Sequence, residues 1–440
     1  MERTAKFVHH LPDFGYRARV VTTSTFGGHS DGHVVRAWEP LAWYRWLRRP
    51  ATRRDPAAPD RATGSGPGRD FARRWLLVPD AQLTWLPAAA VQALRQIRSD
   101  PPDLLYSTSP PASAHLLGLL LKQLTGLPWV ADFRDSWVRD PLDRALVEMP
   151  FRRYVEARLE AAVVAAADVT VAATEVSAEY LARGAGADRS RLHVITNGFD
   201  PADLVDPEGA RLTPEGLILD SASAAEDGQR PPIPDAAPRA DTQVLRLVHT
   251  GSFSYSHPDR SPLPLFAALG GLVEGDPRWA GRIGLELAGR LSPAELEAVR
   301  QLEERGVVRW HGEVDRAAAL ALQRRADVLV VVDHARPWPA SNLPGKIFEY
   351  LATGHPVLAL CGPGALRDFV ERLGGGLVVA PDDVGAIRAA LVELASRKAT
   401  GDLPAGVTAE QLQSYERREL TRQLAQCFDA VLAPHRESAA

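Results

Sequence analysis

The sequence predicts an α/β chain built from two parallel-sheet domains, and three observations carry that prediction. Short apolar runs alternate with helical patterns through most of the 440 residues, the signature of repeated strand–helix units. The runs are uninterrupted, as in Val328–Val332, which implies strands covered on both faces. The length exceeds what one ordinary core accommodates, so two or three domains are expected.

The elements follow in order. In the first half Ala18–Thr22, Leu104–Tyr106, Trp129–Ala131, Val169–Ala172 and His193–Ile195 read as short buried strands. Helical spacing covers Arg3–Leu11, Ala88–Arg98, Ala112–Leu124, Phe151–Ala166 and Thr174–Ala182. The second half repeats the rhythm, with strands at Leu245–His249, Ile283–Ala288, Val307–His311, Val328–Val332, Val357–Leu360 and Gly376–Val379. Its helices are Pro264–Leu272, Pro293–Arg305, Arg316–Arg324, Gly345–Thr353, Ala365–Arg372 and Val384–Arg397, and a long last helix is expected over Ala409–Leu432. Two stretches break the pattern. Pro50–Gly68, rich in Pro, Ala, Gly and Arg, reads as a mobile surface loop. Pro201–Thr242 reads as an interdomain connection with an insertion. The expected division is therefore 1–200, a linker at 201–243, a second domain at 244–405, and a C-terminal helix and tail at 406–440.

Composition removes several classes. With 45% hydrophobic and 24% charged residues, the chain is globular rather than disordered or fibrous. No apolar run reaches the ~18–20 residues needed to span a bilayer. Lys6, His9, Asp13 and Arg17 interrupt any signal-peptide stretch. Cys361 and Cys427 have no ligand-spaced partners, so neither a disulfide framework nor a Cys-based zinc site is expected, and the expected compartment is a reducing cytoplasm. Residues 1–200 hold 26 Lys and Arg against 22 Asp and Glu, whereas the remainder holds 25 against 33. A pI near 6.3 argues against a dedicated nucleic-acid binder.

Three segments carry chemistry. In Ser341-Asn-Leu-Pro-Gly-Lys-Ile-Phe-Glu-Tyr350 a loop enters a helix with Pro344 in its first turn. Backbone N–H groups from Asn342 through Leu343 to Lys346, with the cation of Lys346, form an expected phosphate or diphosphate site. Glu349 lies on nearly the same face, where sugar hydroxyls of a nucleotide would satisfy it. The same spacing serves equally for a surface Lys–Glu pair. In Pro128-Trp-Val-Ala-Asp-Phe-Arg-Asp-Ser-Trp137 a buried strand runs into Asp132, Arg134 and Asp135, at the end where open α/β sheets place ligands. The alternative there is a salt-bridged loop. His249-Thr-Gly-Ser-Phe-Ser254 is a strand-end glycine turn in which Gly251 admits close backbone approach, with Ser252 beside it as a donor-binding candidate. Arg260 follows as a phosphate-binding candidate; a plain turn is the alternative. His115, early in a helix, and Asp333-His334, at a strand end, are weaker cleft candidates.

These strings resemble family 4 glycosyltransferases, in particular a branch with a Leu-Pro-x-Lys-x-x-Glu-Tyr-Leu-Ala pattern and an Asp-Phe-Arg-Asp motif. Pro79-Asp80, Tyr106-Ser-Thr-Ser-Pro-Pro111 and Val194-Ile-Thr-Asn-Gly-Phe-Asp200 fall in the order that branch shows. The resemblance runs from about residue 3 to 430. It implies a GT-B fold, in which two Rossmann-like domains face a cleft and the C-terminal helix crosses back to the N-domain. It also implies a retaining, metal-independent transfer of sugar from a nucleotide-diphosphate sugar, with no further cofactor. Glu349 would hold the donor ribose; His311, in Trp310-His311-Gly312-Glu313-Val314, would border the nucleobase. The family's first donor-site Glu falls on Ser341, which leaves open what contacts the transferred sugar. Family members open with a strand and a glycine-rich turn before an Arg-Thr-Ala-Lys-Phe-Val-like helix. Here Arg3-Thr-Ala-Lys-Phe-Val8 stands directly after Glu2, so the first N-domain strand is expected to be missing, through a misplaced start rather than the alternative of a structurally impaired form.

The expected acceptor is a hydroxyl on a glycan, a lipid-linked or a small molecule. Trp38, Trp43, Tyr44 and Trp46 among Arg36, Arg45, Arg48 and Arg49 suit an anionic membrane surface at the inner face, or alternatively a partly buried helix. Two other readings stay open: an epimerase of the same shape, or a non-catalytic partner subunit.

Overall fold

The computed structural model describes residues 2–24, 33–40, 77–141, 146, 148–201, 243–255, 257 and 259–437. The stretch 50–68, the aromatic residues Trp43, Tyr44 and Trp46, and most of 201–243 lie outside them. The chain forms two compact units, Met1–Asn197 with Arg417–Ala440, and Gly198–Glu416.

Unit 1 runs α1 (Glu2–His10), β1 (Val20–Thr23), β2 (Val34–Ala37), α2 (Leu86–Ser99), β3 (Leu105–Ser109), α3 (Ser113–Thr125), β4 (Trp129–Phe133), α4 (Pro150–Ala166), β5 (Val169–Ala172), α5 (Glu175–Ala185) and β6 (Leu192–Val194). Strands β3 to β6 form a parallel sheet in sequence order, whereas β1 and β2 make a separate parallel pair. Strand β2 is an addition to the predicted set. Its four residues include Arg36 and are mostly half-buried, too short and too mixed to register as an apolar run. Both pieces of sheet are covered by one helical layer, because Val21 of β1 and Leu105 of β3 pack into the cluster of Trp85, Ala89, Ala93, Leu117 and Leu121.

Unit 2 runs β7 (Leu245–Thr250), α6 (Leu263–Gly275), β8 (Ile283–Ala288), α7 (Pro293–Glu304), β9 (Val308–Trp310), α8 (Arg316–Arg324), β10 (Val328–Val332), α9 (Lys346–Ala352), β11 (Val357–Leu360), α10 (Ala365–Leu373), β12 (Gly376–Val379), α11 (Val384–Thr400) and α12 (Ala409–Leu412). Its six strands are parallel in the order β12-β11-β10-β7-β8-β9. The chain leaves β7 toward β8 and β9, then returns through β10 on the other side. The carboxyl ends of β7 and β10 therefore form a topological switch point, where open α/β sheets bind ligands. Beneath that rim the sheet is dry: Leu247, Leu285, Val328, Val330 and Leu358 are all buried in one core with Leu265, Leu269 and Leu391.

The predicted single helix over 409–432 is instead two. Helix α12 starts in a capping box of Thr408 with Gln411 and gives way to a 3-10 turn, Gln413–Tyr415. Helix α13 (Arg417–Glu437) follows. Tertiary contacts override helical propensity here. The Tyr415 ring meets Phe369 at 5.1 Å and Phe348 at 5.7 Å, while its carbonyl accepts from the Phe199 N–H at 3.2 Å. Helix α13 then joins unit 1, where Leu420, Leu424, Cys427, Phe428 and Val431 fill a core with Phe7, Leu11, Val130 and Ile195.

Candidate active site

In unit 2 the rim of the sheet is stitched together at three neighbouring strand ends. The Gly251 N–H donates to the Ala288 carbonyl at 2.7 Å, and the Gly289 N–H donates to the Gly312 carbonyl at 2.7 Å. Gly289 sits at φ +135°, and a Cβ there would lie 2.4 Å from the Gly251 carbonyl oxygen. Only glycine permits this approach, which pulls the β7 and β8 loops together.

Lys346 begins α9 and reaches across to β7. Its Nζ donates to the Thr250 carbonyl at 2.9 Å, and a Cβ on Gly251 would stand 2.7 Å from it. The ammonium therefore replaces a side chain at position 251. One turn later the Tyr350 hydroxyl accepts from the Thr250 N–H at 2.8 Å, and Gln323 donates to the Thr250 hydroxyl at 2.9 Å. Burial and the nearby Arg260 guanidinium push Lys346 down to about 7. Arg260 is itself buried, with its Nη2 3.7 Å from Asp333 Oδ1. Below them His249 stacks on Phe253 at 3.9 Å and donates from Nδ1 to the Val330 carbonyl at 2.9 Å. Burial, reinforced by the Lys346 charge, keeps that imidazole neutral. Half-buried Lys346 and buried Arg260 thus meet beside a glycine turn at the switch point. Such a place fits an anion.

Helix α9 has only seven residues, and Gly345 before it is already helical, so the cationic side chains rather than a helix dipole define the site. Glu349 points to a different partner: its Oε1 accepts from Arg316 Nη2 at 2.8 Å. His311, at the end of β9, shares a 2.9 Å contact with Glu286. That hydrogen bond holds the Glu286 carboxyl below its ordinary range. Ser341 is buried, and Asn342 and Ser252 are half-buried.

Unit 1 presents its charged string at the carboxyl end of β4. Asp132 is fully buried and accepts from Arg3 Nη2 at 3.1 Å, the Tyr106 hydroxyl at 2.6 Å and the Thr108 hydroxyl at 3.0 Å. Arg3 also donates to the carbonyls of Ile195 and Thr196. Arg134 donates to the Ser109 carbonyl at 2.9 Å and the Pro110 carbonyl at 2.5 Å, fixing the loop before α3. Asp135 forms no hydrogen bond or ion pair with the described residues, and burial raises its carboxyl. Close by, the Trp129 Nε1–H donates to Ser107 Oγ at 2.9 Å, whose hydroxyl contacts His115 Nδ1 at 2.8 Å. Burial pushes His115 down to about 3, so it is neutral.

Residues 2–198 match the family described as glycosyl transferase 4-like domain, and residues 247–397 match glycosyl transferases group 1. The chain is a GT-B glycosyltransferase. Solved structures carry the same fold along almost the whole length. A sucrose-phosphate synthase from Thermosynechococcus elongatus superposes at a TM-score of 0.61 and 16% identity, covering 98% of this chain and 92% of that one. A glycosyltransferase from Rickettsia africae gives 0.55 and 12%, with 98% and 94% covered. A trehalose 6-phosphate synthase from Burkholderia multivorans gives 0.52 and 15%, with 81% and 78% covered. No curated protein sequence matches significantly.

In this glycosyltransferase the structure gathers Gly251, Arg260 and Lys346 into one cluster and sets Glu349 with Arg316 one helical turn from Lys346 along α9. It separates the roles of the Asp-Phe-Arg-Asp string: Asp132 and Arg134 are consumed by internal bonds, and Asp135 is not. Sequence reasoning passed over Tyr350, Gln323 and Arg316. Tyr350 carried a usable signal, since it stands four residues after Lys346 and so shares its helix face. Gln323 and Arg316 carried none, because their contacts come from other strand–helix units.

Proposed function

We propose that this glycosyltransferase is retaining and metal-independent, moving a sugar from a nucleotide-diphosphate sugar to a hydroxyl acceptor in glycan, glycolipid or exopolysaccharide synthesis. The observation that supports the reading most is the convergence of Lys346 and Arg260 on the Gly251 turn. There the diphosphate would lie against the Thr250–Gly251 backbone, between two cations that need no ion to assist them. As the bond from the sugar C1 to the phosphate oxygen breaks, its electron pair leaves with the nucleoside diphosphate, and Lys346 and Arg260 stabilise the new charge. The acceptor oxygen bonds to C1 on the same face, and its proton passes to the departing phosphate oxygen. Glu349 would accept from the ribose hydroxyls, His311 would border the base, and Ser252, Ser341, Asn342 and Leu343 would line the phosphates and sugar. In unit 1, Asp135 would hold the acceptor hydroxyl, with Asp132 and Arg134 as positioning residues.

The acceptor reading extends to a lipid-linked substrate at the inner membrane face of the cytoplasm. Trp38 is 64% exposed beside Arg36, and Phe151 and Tyr154 are exposed on α4, which supports contact with anionic headgroups. Among the described residues no helix is long and apolar enough to cross a membrane.

The experiment is a hydrolysis and transfer screen over UDP-, GDP- and ADP-linked sugars with a chelator present. A retained anomeric configuration by NMR and an unchanged rate in chelator are expected. Epimerisation of free donor without transfer, or no donor turnover at all, would remove the reading.

The pH dependence follows from Lys346. A bound diphosphate favours its charged form, so donor binding above pH 7 takes up close to one proton. Affinity should fall as pH rises beyond 7, by up to about tenfold per unit. Stability moves the other way. The folded value near 7 lies below the ordinary 10.5, so the unfolded chain holds more protons between them and stability rises with pH across that window. Calorimetry in two buffers of different ionisation enthalpy measures the proton uptake, and Lys346→Met should abolish it.

A further inference from the structure

The carboxyl end of β10 carries polar side chains that the donor phosphates do not explain. Asp333 and His334 are each 2% exposed. Asp333 Oδ1 stands 2.7 Å from His334 Nδ1 and 3.7 Å from Arg260 Nη2. Yet neighbouring residues in a chain align poorly for a mutual hydrogen bond. Asp333 Oδ1, His334 Nε2 and Arg260 Nε are all left without a hydrogen-bond partner among the described residues. Buried polar atoms are paired as a rule, so three orphans in one contiguous cluster call for a ligand. Their position points the same way, because β10 and β7 form the two sides of the switch point.

The chemistry of the trio narrows the ligand. A carboxylate repels an anion, and a guanidinium repels a metal ion. An acceptor, a donor and an imidazole nitrogen together match hydroxyl groups, each of which both donates and accepts. We infer that Asp333 and His334 bind the hydroxyls of the transferred sugar and select among donor sugars, an inference that rests on the nucleotide-sugar reading above. Arg260 then serves both parts of the donor, with Nη2 toward Asp333 and Nε toward the ligand. The orphan atoms are closed to solvent in this structure. The His257 ring packs edge-on against His334, with centroids 4.1 Å apart, so the sugar enters by displacing that ring.

The test compares two ligands of the same protein. The donor is first taken from the UDP-, GDP- and ADP-sugar screen, and the matching nucleoside diphosphate is the reference. Asp333→Asn and His334→Ala should weaken the nucleotide sugar roughly ten- to a hundredfold, while the nucleoside diphosphate binds within about twofold of wild type. A deoxy analogue lacking the contacted hydroxyl should bind the variants and wild type alike. Equal losses for both ligands would assign the pair a structural role and overturn the inference, as would no loss for either. His334→Gln, which keeps a polar atom in the same volume, should recover part of the sugar-specific affinity and guards against misfolding of the alanine variant. If wild type binds no nucleotide sugar of the panel, it is the donor reading that fails, before any variant is measured.

Discussion

Lys346→Ala should lower kcat/KM for sugar transfer by roughly 10²–10³-fold and leave the unfolding temperature at or above that of wild type. The two halves of this expectation come from the same burial. A cation enclosed beside Arg260 weakens its own hold on a proton, so the folded protein gains nothing from the charge until an anion arrives. Removing the ammonium relieves that cost. The Thr250 carbonyl it contacts keeps the Tyr350 hydroxyl at 3.2 Å, so no backbone acceptor is stranded. Steady-state kinetics with thermal unfolding separates the effects. A variant that loses activity and stability together would show that Lys346 is a structural cross-link rather than a leaving-group residue.

The second large effect is in unit 1 and concerns stability. Arg3→Ala should cost about 3–5 kcal/mol, because it leaves the Asp132 carboxylate buried without its counter-charge. For a domain of this size the midpoint of thermal unfolding should drop by roughly 10 °C. Arg3 also ties down the Ile195 and Thr196 carbonyls, so its loss frees the end of β6 as well. Replacing both partners at once, Arg3→Met with Asp132→Leu, should recover most of the loss, since breaking a buried pair costs more than exchanging it for apolar groups. A double variant no more stable than Arg3→Ala would refute this account of the pair. Its residual transfer activity also reports on Asp132. A positioning residue permits some turnover, whereas a group touching substrate does not.

The contrast between these residues shows what the amino-acid sequence conveys. Val328–Val332 and Val357–Leu360 coincide with their predicted strands because each is an uninterrupted apolar run buried on both faces, and Ile283–Ala288 because its apolar residues alternate toward the core. Strand β2 escaped because four residues with an arginine carry no period. The break in the last helix is not legible because residues 413–416 contain neither Gly nor Pro, and it is set by the aromatic contacts of Tyr415 with residues far back in the chain. The site divides in the same way. Lys346, Glu349, Gly251 and Arg260 are legible as residue types at strand and helix ends. That Lys346 would fill the space of a side chain at Gly251, 95 positions earlier in the sequence, depends on the parallel register of β7 and β10. Asp132 shows the same division. A charged residue at a strand end is legible, but its buried partner Arg3, 129 positions away, is not.

The return of α13 to unit 1 has a consequence for synthesis. Unit 1 draws part of its core from Leu420, Leu424, Phe428 and Val431, which the ribosome adds only after all of unit 2. Residues 198–416, by contrast, are all in hand once Glu416 has emerged. Domains generally close in the order of translation, but here the half encoded first waits on a helix encoded after the second. Until α13 emerges, the nascent chain must shield an unfinished N-terminal half.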